Sequence, residues 1–224
     1  MNQNVKKFLS VMLLAGMVLM MCSCGKEKKA FEASKLAYDN INSAYQTVEV
    51  ISEDIYTAWQ LGIYEKDEMS IELLADELSL SKDDLEKGFS ALLADLGMKD
   101  LLDVNVDLDT FFILFEDEMF SICVKIVQEA YTANGKIQFT QDCLREAKNQ
   151  MKTLGEKYSD YEHYPSLKGY YATTNSFFDF CQDPTGSFEQ MTTTINDYRN
   201  EARNYINDLD YILEDEIEAE TADV

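Results

Sequence analysis

The feature that most constrains this chain is an apolar stripe in step with a helix from Phe31 to Gly62. Phe31, Ser34, Tyr38, Ile41, Tyr45, Val48, Ser52, Ile55, Trp59 and Gly62 follow one another in alternating steps of three and four. That spacing keeps all ten on one face of a helix about 50 Å long, at about 1.5 Å of rise per residue. A helix with so long an apolar seam cannot bury it alone, so the rest of the chain must supply partners. The last long segment has the same rhythm, through Phe188, Met191, Ile195, Tyr198, Ala202, Tyr205, Leu209 and Ile212. Ser187 and Gln190 stand at capping-box spacing at its start, after the turn-forming run Asp183-Pro184-Thr185-Gly186.

The stretch between these helices is helical in pattern too. Ser81 with Asp84 makes a box-like cap, Leu80 and Leu85 take the hydrophobic-staple positions, and Gly97 marks a stop. Residues 108 to 133 are apolar around most of a helix, with Phe111, Phe112, Phe115, Met119, Ile122 and Ile126, which predicts a central position. Asn134-Gly135 ends that helix, and Thr140 is expected to begin the next, with Phe139 and Leu144 as its staple. Leu167, Tyr170, Thr174, Phe177 and Cys181 mark one more helix after Pro165. No run alternates with period two over a useful length. Two prolines, nine glycines and 46% apolar residues fit one compact helix-rich domain rather than a disordered chain. The expected fold is all-α: an elongated bundle of about six helices, four of them long.

The first two dozen residues have a different character. Lys6 and Lys7 precede an apolar run from Phe8 to Met20, and Cys22-Ser23-Cys24 follows. A basic start, a short apolar run and a small-residue zone make an export signal. The run falls short of the roughly 20 residues of a membrane-spanning helix. The ending Met21-Cys22-Ser23-Cys24-Gly25 resembles the lipobox of bacterial lipoproteins, whose cysteine becomes the diacylated first residue of the mature protein. Against that family's pattern of Leu at −3 and a small residue at −1, Cys24 has Ser23 at −1 but Met21 at −3. Cys22 has Leu19 at −3 but Met21 at −1. Cys24 is the favoured lipidation site and Cys22 the alternative. The chain then divides into a signal (1–23), a short basic membrane-proximal tether (24–29), one helical domain (30–216) and an acidic tail (217–224). The resemblance implies a lipid anchor on the extracytoplasmic face of the cell membrane. Lys26, Lys28 and Lys29 would sit at the lipid headgroups, each attracting anionic lipid by ~1 kcal/mol.

The formal net charge is −23, from 42 acidic and 19 basic residues. A chain this acidic lacks the basic face that phosphate binding requires, so nucleic acid is excluded as a partner. The charge is also uneven. Residues 65 to 118 carry 17 acidic and 4 basic residues, and residues 204 to 224 carry 8 acidic and none basic. Either stretch could meet a basic protein by charge complementarity, as an acidic inhibitor or immunity-like protein would.

Candidate chemistries are few. Asp103, Asn105, Asp107 and Asp109 alternate as the first ligands of a calcium loop do. The pattern then lacks its turn glycine, Leu108 standing there, and its bidentate glutamate, replaced by Leu114. The favoured reading is a polar loop whose Asp107 or Asp109 caps the next helix. Glu116, Asp117 and Glu118 edge an apolar helix, as flanking charges do. The single histidine, His163, excludes a ferritin-like di-iron site, which needs two Glu-x-x-His motifs. His163 lies among Tyr161, Tyr164, Tyr170 and Tyr171, residue types suited to ligand or partner contact and more commonly used to close the end of a bundle. An enzyme centred on His163 is the weakest reading, because no nucleophile elbow accompanies it.

Tyr38, Tyr45, Tyr198 and Tyr205 put polar tips on seam positions, which admits a ligand groove or a bundle with buried water. Cys123 and Cys143 fall on consecutive helices. If those helices fold back as a hairpin, the two thiols lie beyond disulfide reach, so Cys123, Cys143 and Cys181 are expected to be free and buried. The expected function is a non-catalytic binding or interaction module on a lipid anchor, without cofactor. A basic protein or a small molecule is its expected partner besides the bilayer.

Overall fold

A computed structural model describes the backbone of residues 3–98, 112 and 118–222, and side chains over 25–98, 112 and 118–209. The described residues form seven α-helices and one short 3-10 helix, with no strand. In chain order they are α1 (Gln3–Tyr64), the 3-10 turn Lys66–Glu68, α2 (Ile71–Glu77), α3 (Lys82–Asp95), α4 (Met119–Ala133), α5 (Lys136–Lys157), α6 (Tyr164–Gln182) and α7 (Phe188–Ala222). The all-α expectation holds.

Helix α1 organises everything else. Nine of the ten stripe residues are buried and Phe31 is half-buried. A second row at heptad spacing, Ala30, Ala37, Ala44, Ile51 and Ala58, is buried beside it. The apolar face is therefore wider than a two-helix seam, and α1 packs on α4, α5, α6 and α7 at once. Alanines in that row let neighbouring backbones approach closely. Gly62 does the same at the end, where an added Cβ would lie 2.4 Å from the Phe120 Cα.

Contacts along α1 give the directions of its partners. Gly62 meets Phe120 and Asp54 meets Tyr131, both on α4, while Ala30 lines one cavity with the segment just after α5. Helices α4 and α5 thus run end to end, antiparallel to α1, joined by Asn134 and by Gly135 in the left-handed region at φ 83°. Helix α6 returns parallel to α1, with Tyr170 at Asn42 and its last carbonyls at Gln128. Helix α7 runs back down, from Phe188 beside Tyr56 to Arg199 beside Glu49 and Glu53. The result is bundle-like packing of alternately directed helices, with α3 laid on α4 through Gly88.

Several local expectations are realised. Ser81 accepts from the Asp84 N–H at 3.2 Å and donates to its carboxylate at 2.7 Å. Leu80 and Leu85 are both buried beneath that cap. At the other end of α3, Gly97 adopts φ 71°, and the Met98 N–H reaches the Leu93 carbonyl at 2.8 Å, a Schellman closure. Ser187 and Gln190 exchange both bonds of their capping box.

Other expectations are corrected. Thr140 does not open α5: the helix starts at Lys136, and the Thr140 hydroxyl donates back to the Lys136 carbonyl at 2.9 Å, with Phe139 exposed. Gly135 supplies the left-handed residue that turns one helix directly into the next, so no loop is needed. Because α4 and α5 are end to end, Cys123 and Cys143 are separated by about 30 Å of helix rather than by a hairpin's width. They and Cys181 are free and buried. Helix α2, a seven-residue turn capped by Ser70 on the Leu73 N–H, goes beyond the six helices the pattern gave. The residues expected as a tether are helical and exposed at 25–29, continuous with α1, and α7 stays helical to Ala222.

Candidate functional site

Among the described residues, a concave site lies where the α5–α6 connection crosses the lower part of α1. Helix α5 ends when Tyr158 leaves helical geometry, its N–H held by the Leu154 carbonyl at 2.7 Å. Two successive turns follow, Tyr161 N–H to Tyr158 at 2.9 Å and Tyr164 N–H to Tyr161 at 3.1 Å. Pro165 then opens α6 in its first turn, where a missing N–H costs nothing. Tyr164 is set by Gly155: a Cβ there would lie 2.6 Å from the tyrosine Oη, so only glycine leaves this ring its place.

This connection and α1 form a cavity of about 350 Å³, open to solvent on one side and lined by Lys26, Glu27, Ala30, Tyr158, Asp160, Tyr161, Glu162 and His163. The Tyr161 and His163 rings meet edge to face at 5.1 Å. The walls bring three carboxylates, one lysine, one imidazole and two phenols together, with the two phenols and the imidazole half-buried and the acids exposed. Such a lining suits a small polar ligand held by charge and ring faces.

The tyrosine cluster read from the sequence divides in two. Tyr161 and His163 line the cavity, and Tyr164, next in the chain, packs over Gly155. Tyr170 points into the core instead. It is fully buried between Tyr38 and Tyr45, at ring separations of 6.1 and 5.8 Å, and donates to Asn42 Oδ1 at 3.1 Å. Burial pushes its hydroxyl well above the usual tyrosine range. Tyr171, one position on, is half-buried against the core.

The seam tyrosines pack against side chains and backbone of neighbouring turns and helices. Tyr45 donates to Glu49 Oε1 at 2.8 Å, Tyr198 stacks on Phe177 at 5.2 Å, and Tyr205 covers Gly169. Arg199 ties this region to α1, reaching Glu53 at 2.7 Å and Glu49 at 3.8 Å.

A second buried polar cluster was not foreseen. Asp54 of α1 is only 3% exposed, yet it accepts the Ser79 N–H at 3.1 Å and the Tyr131 hydroxyl at 2.5 Å. Burial pushes its carboxyl above the ordinary aspartate value, partly offset by those two donors. The readable signal was an acid three residues from Ile51 and four from Ala58, inside an apolar row. Asp54 pins the α2–α3 connection to α1 and α4, and the cluster opens onto no described cavity.

Cys22 and Cys24 lie on α1, and their side chains fall outside the described residues, as do Asp103, Asn105, Asp107, Asp109, Glu116 and Asp117. Among the described residues, no three His, Cys, Asp or Glu side chains gather as a metal site, and no helix is long and apolar enough to cross a membrane. Compared with protein families, with curated proteins and with solved structures, the chain finds no match.

Proposed function

We propose that the chain is a lipid-anchored lipoprotein of the extracytoplasmic membrane face, whose helical domain is a binding or interaction module rather than an enzyme. The observation that carries this is the order of features at the start: Lys6-Lys7, the apolar run Phe8 to Met20, then Cys22-Ser23-Cys24. Export machinery reads that order, and the cysteine gives it a covalent lipid. One acyl group alone binds a bilayer only marginally, so the diacyl modification and a basic foot act together. Exposed Lys26, Lys28 and Lys29, on the turn of α1 just after Cys24, supply that foot. The helical domain, 30–216, is an elongated bundle, and its binding surface is the cavity at its lower end.

Radiolabelled palmitate fed to a bacterial host expressing the full chain tests the anchor. Label should enter the wild-type chain and the Cys22→Ser variant and be lost from Cys24→Ser. The reverse pattern moves the anchor to Cys22. Absence of label from all three overturns the reading.

A further inference from the structure

We propose that the cavity between residues 26–30 of α1 and the α5–α6 connection takes a primary-ammonium phosphate ester, the headgroup chemistry of an ethanolamine phospholipid. The proposal rests on the lipoprotein reading only for where the cavity stands, and its chemistry comes from the lining.

Three of the lining groups are carboxylates, Glu27 from α1 and Asp160 and Glu162 from the connection, against the single lysine Lys26. An anion alone would meet three like charges there, so an acidic headgroup is rejected. A cation is drawn by the carboxylates and by the faces of Tyr158 and Tyr161, half-buried beside them. A primary ammonium also donates hydrogen bonds to carboxylates, which a quaternary one cannot. Lys26, on α1 next to Glu27 and across from Asp160 and Glu162, is then the natural partner of the phosphate. Both charges of a zwitterion thus find a counterpart within one site.

Size and position agree with this occupant. A cavity of about 350 Å³ lies at the small end of ligand sites and has room for a headgroup rather than acyl chains. Lys26 follows Cys24 by two residues on a continuous helix. An acyl chain on Cys24 would therefore hold the mouth of the cavity at headgroup depth. The connection is braced for this, since its turns are backbone-bonded and Tyr164 is fixed over Gly155.

The test is calorimetric titration of the purified full chain in a non-ionic detergent. The probes are O-phosphoethanolamine and dihexanoyl phospholipids bearing ethanolamine, choline or glycerol headgroups. The ethanolamine lipid should bind saturably, the choline lipid at least tenfold more weakly, and the glycerol lipid not measurably. The double variant Asp160→Asn with Glu162→Gln, both on exposed positions, should lose at least tenfold with unchanged circular dichroism. Lys26→Gln should weaken both phosphoethanolamine and the ethanolamine lipid, whose phosphate it meets. Binding of the lipid alone assigns the bilayer as the source; binding of phosphoethanolamine alone assigns a free metabolite; both support the site. Equal binding of the glycerol lipid, no binding of any probe, or an unaffected double variant overturns it. The intact mass of the same preparation reports acylation separately. An acylated chain that binds nothing sinks the site but keeps the anchor, and an unacylated chain that binds keeps the site.

Discussion

Replacing Asp54 separates a buried carboxylate that fastens three elements from one that merely tolerates its surroundings. In Asp54→Ala the Tyr131 hydroxyl, in a residue 1% exposed, loses its acceptor. An unsatisfied buried hydroxyl costs about 1–3 kcal/mol. The Ser79 N–H, on an exposed residue, can turn to water and adds little. Relief of the buried charge offsets part of the loss, leaving about 2 kcal/mol, or roughly 4–8 °C in Tm for a domain of this size. Asp54→Asn keeps an oxygen for Ser79 and an amide for the tyrosine oxygen, and should cost less than about 1 kcal/mol. Urea and thermal unfolding followed by circular dichroism measure both.

The sign of the pH dependence follows from the raised Asp54 value. Between the ordinary 3.8 and its higher value in the folded chain, the native state holds a proton that the unfolded state releases. This contribution is complete below 3.8 and is lost as pH rises through the folded value. Wild type should therefore lose stability relative to Asp54→Asn on going from acid towards neutral pH. A Tyr131→Phe double-mutant cycle should show a coupling of about 1 kcal/mol or more. If Asp54→Ala is as stable as Asp54→Asn, or the cycle is additive, the clasp is refuted.

Other outcomes follow from single contacts. In Gly88→Ala the new Cβ would lie 2.4 Å from the Ile126 carbonyl oxygen, so α3 must lift from α4, at about 1–3 kcal/mol in chemical denaturation. Ser187→Ala removes the acceptor for the Gln190 N–H and should cost about 1 kcal/mol, with Ser187→Gly closer to wild type. Burial pushes the Cys123 thiol up to about 12 and raises Cys143 and Cys181 as well. Thiol labelling at pH 8 with peptide mapping should find all three unmodified in the native chain and modified in urea, with Cys143, the least buried, first to react. Gly155→Ala should displace Tyr164 and weaken ligand binding at the neighbouring cavity while leaving helix content unchanged.

Periodicity and caps carried the long helices because they are local: the Phe31–Gly62 stripe, the Ser81 and Ser187 boxes and the Gly97 stop each declare themselves within a few residues. The direction change between α4 and α5 was not legible. Asn134-Gly135 is the same dipeptide whether a chain reverses or merely bends, and only the long face of α1 selects the end-to-end arrangement. Helix α2 was missed because seven residues hold too little periodicity to register. At the site, the Tyr161–His163 segment was visible as a cluster, but Tyr170, nine residues beyond Tyr161, points into the core and leaves it. Lys26 and Glu27 lie over 130 residues from that segment, and only the antiparallel course of α5 brings them to one cavity.

The length of α1 also sets an electrical distance. From Lys26 to Tyr64 the helix climbs roughly 57 Å at about 1.5 Å per residue. The acids that follow, Glu65, Asp67 and Glu68, stand at its far end, just before α2. At physiological ionic strength that separation is about seven screening lengths. The lysine foot and the acidic summit are thus invisible to each other. An anionic bilayer binding at the base neither repels nor masks whatever the upper end attracts, so the two poles can be titrated, mutated and occupied as independent circuits on one rod.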